Sequence, residues 1–225
     1  MEPKKLQERK ERIKKLDAEL KLLYPDARVE LKFKGAWQLL VAVELSAQCT
    51  DRMVNNITEK LFKRYKTLAD YVEAGKSPEG IAEFALMIKP SGYFNVKTKH
   101  ILSAALLVME EFGGVVPKTM EELLRIPGVA RKTATVVLST AYGVVVGVTV
   151  DTHVIRFVTR FNLSDYKDPT HIERDLMELL PKEEWSKFTN RVIHYGRYLA
   201  PARKYDTSLD PLVKIYRPAG KRFRM

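Results

Sequence analysis

Cysteine is nearly missing from this sequence: Cys49 is the single one in 225 residues. One thiol cannot close a disulfide within the chain, nor build a cysteine cage for zinc or an iron–sulfur cluster. Long hydrophobic runs are missing as well. The most apolar stretches, Trp37–Val43 and Val144–Val150, are far shorter than the roughly 20 residues a membrane-spanning helix needs. Residues 1–15 are charged and lack the apolar centre of a signal peptide. The expectation is a cytoplasmic protein with no membrane partner. Acidic residues are in deficit, 28 Asp and Glu against 39 Lys and Arg, which leaves a formal net charge of +11. Such an excess suggests a polyanionic partner, nucleic acid ahead of an acidic membrane surface.

What is present is a globular composition, 45% hydrophobic and 30% charged, in a length that suits one or two lobes. Helical periodicity dominates. Leu6, Ile13, Leu16, Leu20 and Leu23 mark a basic amphipathic helix that stops before Pro25. Further helices are expected at 37–48, 53–61, 67–73, 78–88, 96–112, 120–125, 131–142, 152–161, 169–180 and 185–199. Gly75, Pro90-Ser91-Gly92, Gly113-Gly114, Pro127-Gly128 and Gly143 punctuate them. Val29, Leu31 and Phe33 alternate with charges, as in a short extended piece. Residues 144–150 are β-branched, yet no second strand of similar strength could pair with them, so they read as a buried crossing between helical lobes. The tail from Lys204 to Met225 has little periodicity. The fold class is all-α.

The segment Ile126-Pro127-Gly128-Val129-Ala130-Arg131-Lys132-Thr133-Ala134 is the most informative. Pro127 cannot continue a helix, Gly128 permits a positive φ, and Val129 can plug the angle between two helices. A new helix then begins near Arg131, and its unpaired N–H groups and positive dipole end suit a DNA phosphate. Such a contact positions a protein without reading sequence. Taken alone, a Pro-Gly turn between helices is more often only a turn.

Lys132 follows in the first turn of that helix, where the dipole opposes a cation and favours the neutral amine. A neutral lysine amine can form a Schiff base with a sugar aldehyde carbon. Asp151, in Val150-Asp151-Thr152-His153, precedes a run with Val154, Val158 and Phe161 on one face, which makes it a helix N-cap. A capping carboxylate is held rigidly, and so suits a group that faces the developing charge of an oxocarbenium-like sugar. It could also help deprotonate the lysine or a water.

Together these residues resemble endonuclease III and its relatives, the helix-hairpin-helix DNA glycosylases. Leu45-Ser46-Ala47-Gln48-Cys49-Thr50-Asp51 is similar to the family's N-terminal signature, the hairpin with Lys132 to its catalytic segment, and Val150-Asp151-Thr152-His153 to its aspartate motif. His194-Tyr195-Gly196-Arg197-Tyr198 is similar to the approach to its cluster loop. The resemblance runs from about Pro25 to Lys204. It implies a helix-hairpin-helix glycosylase fold of two helical lobes with the active site between them. Residues 29–144 would form a six-helix barrel, and 1–28 with 145–225 the second lobe. It also implies a flipped base, Gln48 filling the space that base vacates, Tyr93 wedging the opposite strand, and DNA contacts at Gly128, Ala130, Arg131, Thr133 and His153.

The sequence departs from the family in three places. The four cluster cysteines would fall near Ala200, Thr207, Asp210 and Tyr216, none of them cysteine, so no cluster and no other cofactor is expected; packing through Leu199, Tyr205, Leu209, Leu212 and Tyr216 would hold the tail instead. Ala130 replaces the second hairpin glycine, which a helical φ would tolerate. Tyr93 replaces a smaller apolar wedge. The resemblance then implies a monomeric base-excision-repair glycosylase with abasic-site (AP) lyase activity on double-stranded DNA carrying a damaged base, oxidised pyrimidines by family default, or an abasic site. Monofunctional uracil or thymine mismatch glycosylases tend to carry another residue in place of Lys132. Relatives that remove adenine use a glutamate where Val43 stands; Glu44 is one residue off. A non-catalytic hairpin DNA-binding protein would not need both Lys132 and Asp151.

Overall fold

A computed structural model describes residues 2–203 and 205–222. Lys204 and the terminal Phe223, Arg224 and Met225, part of the basic tail end, lie outside the described residues. Among the described residues every regular element is a helix. The chain divides into two compact units, Glu30–Val146 and Met1–Val29 with Gly147–Met225.

The Glu30–Val146 unit holds α2 (Gly35–Leu45), α3 (Asp51–Arg64), α4 (Leu68–Ala74), α5 (Pro78–Ile88), α6 (Phe94–Glu111), α7 (Met120–Leu123) and α8 (Arg131–Tyr142). Hydroxyl caps start most of them. Thr50, Ser77 and Thr119 each accept an N–H from the first turn that follows. Thr67 and Asp70 form a reciprocal capping box at α4; each such cap contributes about 1 kcal/mol. The apolar stripes of α2, α6 and α8 meet in a core that includes Leu39, Leu40, Ala104, Val108, Leu123, Ile126, Val137 and Leu138. A second cluster sets Phe84 edge to face against Tyr65 and Tyr71, which are tilted against each other, with ring centroids 5.2–5.8 Å apart.

The other unit holds α1 (Pro3–Leu23), α9 (Thr152–Arg160), α10 (Pro169–Leu179), α11 (Trp185–His194), a π-helical turn at Tyr195–Leu199, α12 (Pro211–Ile215) and α13 (Pro218–Arg222). Its core draws Ile13, Leu16 and Leu20 from α1 against Val154, Phe157, Val158, Ile172, Leu176, Phe188 and Val192. Polar ties fix the N-terminal helix from both ends. Buried Arg9 donates to the Asn162 carbonyl at 3.0 Å and to Asp165 at 2.8 Å, and buried Arg191 bridges Asp17 and Glu184.

Residues 29–33 carry no regular secondary structure. Three readings are revised. Within 144–150 only the second half is buried: Val148 and Val150 join the core of their unit, whereas Val144 is exposed, because it follows directly on Gly143, the exposed C-cap of α8. The tail is built of one-turn helices started by Pro211 and Pro218, too short to show a period. Leu209 does not help hold it, being 77% exposed, while Leu212 is fully buried in the core of this unit and Leu199, Tyr205 and Tyr216 pack against that core.

Candidate functional site

The hairpin is built from the buried side up. Leu123, Ile126 and Val129 are buried and anchor the turn to its unit, and the Val129 N–H closes it on the Ile126 carbonyl at 3.0 Å. Gly128 has φ +80, and a Cβ there would stand 2.8 Å from His100 Nδ1 and 3.0 Å from Glu44 Oε1. Glycine is therefore required twice, by backbone angle and by space. The two side chains that crowd it are themselves paired, His100 Nδ1–H donating to Glu44 Oε1 at 2.9 Å. Ala130 is the N-cap of α8, with φ −87 and ψ 170. It is extended rather than helical, a backbone that alanine adopts as readily as any residue. Its methyl cannot accept a hydrogen bond, so the N-cap residue itself supplies no side-chain cap to the start of α8. Arg131, Lys132 and Thr133 occupy that turn; Arg131 and Lys132 are exposed. Lys132 makes no hydrogen bond or ion pair among the described residues.

Asp151 caps α9 with one oxygen. Its Oδ1 accepts the N–H groups of His153 and Val154, each at 2.9 Å; its Oδ2 accepts none among the described residues. The approach is fixed on both sides. Val148 and Val150 are buried, and Thr189 Oγ1 donates to the Thr149 carbonyl at 3.1 Å. The start of α9 is pressed against the π-helical turn: a Cβ on Gly196 would meet His153 Nδ1 at 2.4 Å. Arg156 ties the two together, donating to His153 Nδ1 at 3.2 Å and to the carbonyls of Gly196 and Ala200 at 3.3 and 3.2 Å. Burial pulls the Arg156 guanidinium below its usual range, opposed by the charge of Asp151. With Arg156 donating to Nδ1, the neutral His153 ring carries its proton on Nε2.

Gln48 and Tyr93 are both exposed, in turns of the Glu30–Val146 unit. They are two of three non-glycine residues with positive φ among the described residues, at 54 and 48 degrees. The structure therefore places Gln48, Tyr93, Gly128, Ala130, Arg131, Lys132 and Thr133 in one unit, and Asp151 and His153 in the other. Sequence reasoning missed Lys97, Gly196 and the His100–Glu44 pair. Lys97 left a signal: it interrupts the buried α6 stripe of Thr98, Ile101, Leu102, Ala104, Ala105 and Val108 and is buried with it.

The positions assigned to cluster cysteines do not fit a metal cluster. Asp210 is fully buried, accepts the Tyr195 and Tyr205 hydroxyls at 2.5 Å each and the Leu212 N–H at 2.9 Å, and lies 3.4 Å from the Arg160 guanidinium. A buried carboxylate held by three protein donors is already committed to the protein, and it is not the thiolate that an iron–sulfur cluster takes. Burial and the neighbouring Asp210 charge push the Tyr205 hydroxyl up to about 12, which keeps it a proton donor. Ala200, Thr207 and Tyr216 offer no thiolate.

Residues 41–182 match the family model of the HhH-GPD superfamily base excision DNA repair protein. Endonuclease III of Synechocystis sp. is 47% identical over 201 residues, spanning 89% of this chain and 90% of that one. Endonuclease III of Bacillus subtilis is 39% identical over 89% of each chain, and that of Escherichia coli K12 is 37% identical over 80% of this chain and 82% of that one. Two solved structures, a non-covalent endonuclease III–DNA complex and a trapped endonuclease III–DNA covalent intermediate, each superpose with a TM-score of 0.88 at 38% identity, covering 96% of this chain and 99% of theirs. A thermostable thymine-DNA glycosylase shares the fold, with a TM-score of 0.78 at 22% identity over 94% of this chain and 98% of that one. The chain belongs to the HhH-GPD superfamily of base excision DNA repair proteins and is endonuclease III-like.

Proposed function

We propose that this endonuclease III-like protein is a bifunctional DNA glycosylase and abasic-site lyase that uses Lys132 as its nucleophile. The observation that carries this reading is the hairpin. It presents an exposed lysine with no side-chain partner among the described residues, in the first turn of a helix whose N-cap residue, Ala130, supplies no side-chain cap. A phosphate on those N–H groups fixes the strand, and Gly128, Ala130, Arg131 and Thr133 are the contacts nearest to it. The Lys132 amine adds to the sugar C1′ as the C1′–N bond breaks; the bonding pair leaves with the base, which takes up a proton. Ring opening gives the imine. Removal of a C2′ proton then expels the 3′ phosphate, and water releases the lysine. Asp151 supplies a fixed negative charge against the oxocarbenium character of the sugar, through the oxygen that the helix does not use.

Gln48 and Tyr93 serve as probes of the duplex and His153 as a contact near the sugar–phosphate chain. The substrates are oxidised pyrimidines and abasic sites in double-stranded DNA, acted on by a monomer. No step requires an iron–sulfur cluster, and the Asp210 network supports the reading that none is bound. No described helix is long and apolar enough to cross a membrane.

Incubation with abasic-site DNA and borohydride tests the reading. The wild-type chain is expected to form a covalent protein–DNA adduct and Lys132→Ala none. An undiminished adduct from Lys132→Ala would move the nucleophile elsewhere.

A further inference from the structure

Lys97 is 3% exposed, yet it forms no salt bridge among the described residues. Its ammonium donates all three of its protons to backbone carbonyls: Leu45 at 2.9 Å, Ala47 at 2.8 Å and Ser91 at 2.9 Å. Leu45 ends α2, and Ala47 immediately precedes Gln48; Ser91 lies two residues before Tyr93. One cation thus holds the carbonyl ends of two turns that are 44 to 46 residues apart in the chain. Each turn leads straight into a non-glycine residue with positive φ, a conformation that persists only where its surroundings impose it. Burial lowers the Lys97 amine from its usual range, opposed by the charges of Cys49 and Glu44. Three carbonyl acceptors favour the ammonium, because a neutral amine has only two N–H groups to offer.

We propose that Lys97 is a positioning residue that locks the Gln48 turn and the Tyr93 loop in one register, so that the two enter a DNA duplex as a unit. This rests on the proposed roles of Gln48 and Tyr93. A residue acting this way matters when a base must be extruded from a duplex and its space filled. It does not matter when the sugar is already accessible, and it leaves the Lys132 chemistry untouched.

The experiment compares Lys97→Met, which keeps the stem and removes the donors, on two substrates. On duplex DNA carrying one lesion, kcat/KM is expected to fall at least about tenfold, since loops displaced by about 1 Å cost that much or more. On a single-stranded oligonucleotide with a preformed abasic site, borohydride trapping is expected to stay within about twofold of wild type. Placed on a Gln48→Ala/Tyr93→Ala background, Lys97→Met is expected to have almost no further effect, because residues that act as a unit are not additive. Equal losses on both substrates, or a full additional loss in that background, would overturn the proposal. If wild type itself traps no abasic-site DNA, it is the lyase reading that fails. Should Lys97→Met not fold, the exposed pair decides. Gln48→Ala and Tyr93→Ala combined are expected to be no worse on duplex than the worse single variant. Strict additivity of the two would refute coupling through Lys97.

Discussion

Replacing Asp151 by asparagine separates the two tasks that one side chain performs. The cap uses a single oxygen, which takes two N–H bonds of 2.9 Å at the start of α9. Asparagine presents a carbonyl oxygen of the same reach, and Asn and Asp rank equally as N-caps. What disappears is the charge. At the folding level this removes only the interaction with the helix dipole, about 0.3–1 kcal/mol. A protein of this length should then melt within roughly 4 °C of wild type. At the level of chemistry, a fixed group facing transition-state charge is lost, and such groups carry about 2.7–4 kcal/mol, or 10²- to 10³-fold in rate.

Single-turnover base release from duplex DNA with one lesion reads the chemical loss, and calorimetry on the same preparation reads the fold. Asp151→Ala serves as the contrast, since it forfeits the cap as well and should cost about a further 1 kcal/mol of stability. Base release by Asp151→Asn within about threefold of wild type would refute the electrostatic role. A melting loss as large as that of Asp151→Ala would mean that asparagine does not reproduce the cap, and the separation would fail.

Gly128→Ala should be destabilising by roughly 1–2 kcal/mol from its positive φ alone, with more from the 2.8 Å approach to His100; affinity for abasic-site duplex, measured by fluorescence anisotropy, should fall with the turn. Asp210→Asn removes the buried charge that accepts the Tyr195 and Tyr205 hydroxyls and lies 3.4 Å from the Arg160 guanidinium. Urea unfolding should show a loss of about 3–5 kcal/mol, while an iron chelator should change neither melting nor trapping of the wild-type chain. A stability loss below about 1 kcal/mol in that variant would mean that the network does not secure the tail.

How much of this was legible in the sequence depends on how local each feature is. The end of α1 at Leu23, the extent of α5 and the start of α8 at Arg131 follow from proline, hydroxyl caps and a 3.6-residue period, all within a few neighbours. The Asp151 cap was legible for the same reason, as was the positive φ at Gly128. Lys97 was not, because its three acceptors come from distant turns; as a lysine it reads as a solvated side chain. Gly196 was visible as part of a motif, but its crowding against His153 depends on packing across 43 positions of chain. Helices α12 and α13 escaped because five residues cannot display a period. The β-branched run at 144–150 misled toward burial throughout, although Val144 is exposed and Val145 and Val146 are only partly buried.

On the proposed reading, the polar network of the tail takes up a structural task and lends nothing to catalysis. A cluster held by four thiolates closes a loop through metal–ligand bonds; here Tyr195, Tyr205 and Arg160 converge on Asp210, and Leu212 and Ala219 are buried beside it. None of these groups is a nucleophile, and none is in the turn of Lys132. Tyr195 also opens the π-helical turn whose Gly196 abuts His153, two residues beyond Asp151. The tail network is thus mechanically connected to the start of α9, and its disruption should reach Asp151 through packing. A rate loss in Asp210→Asn would accordingly track its loss of stability, and would recover where the fold is restored by lower temperature. A rate loss that persists in the fully folded variant would place the network in the chemistry itself.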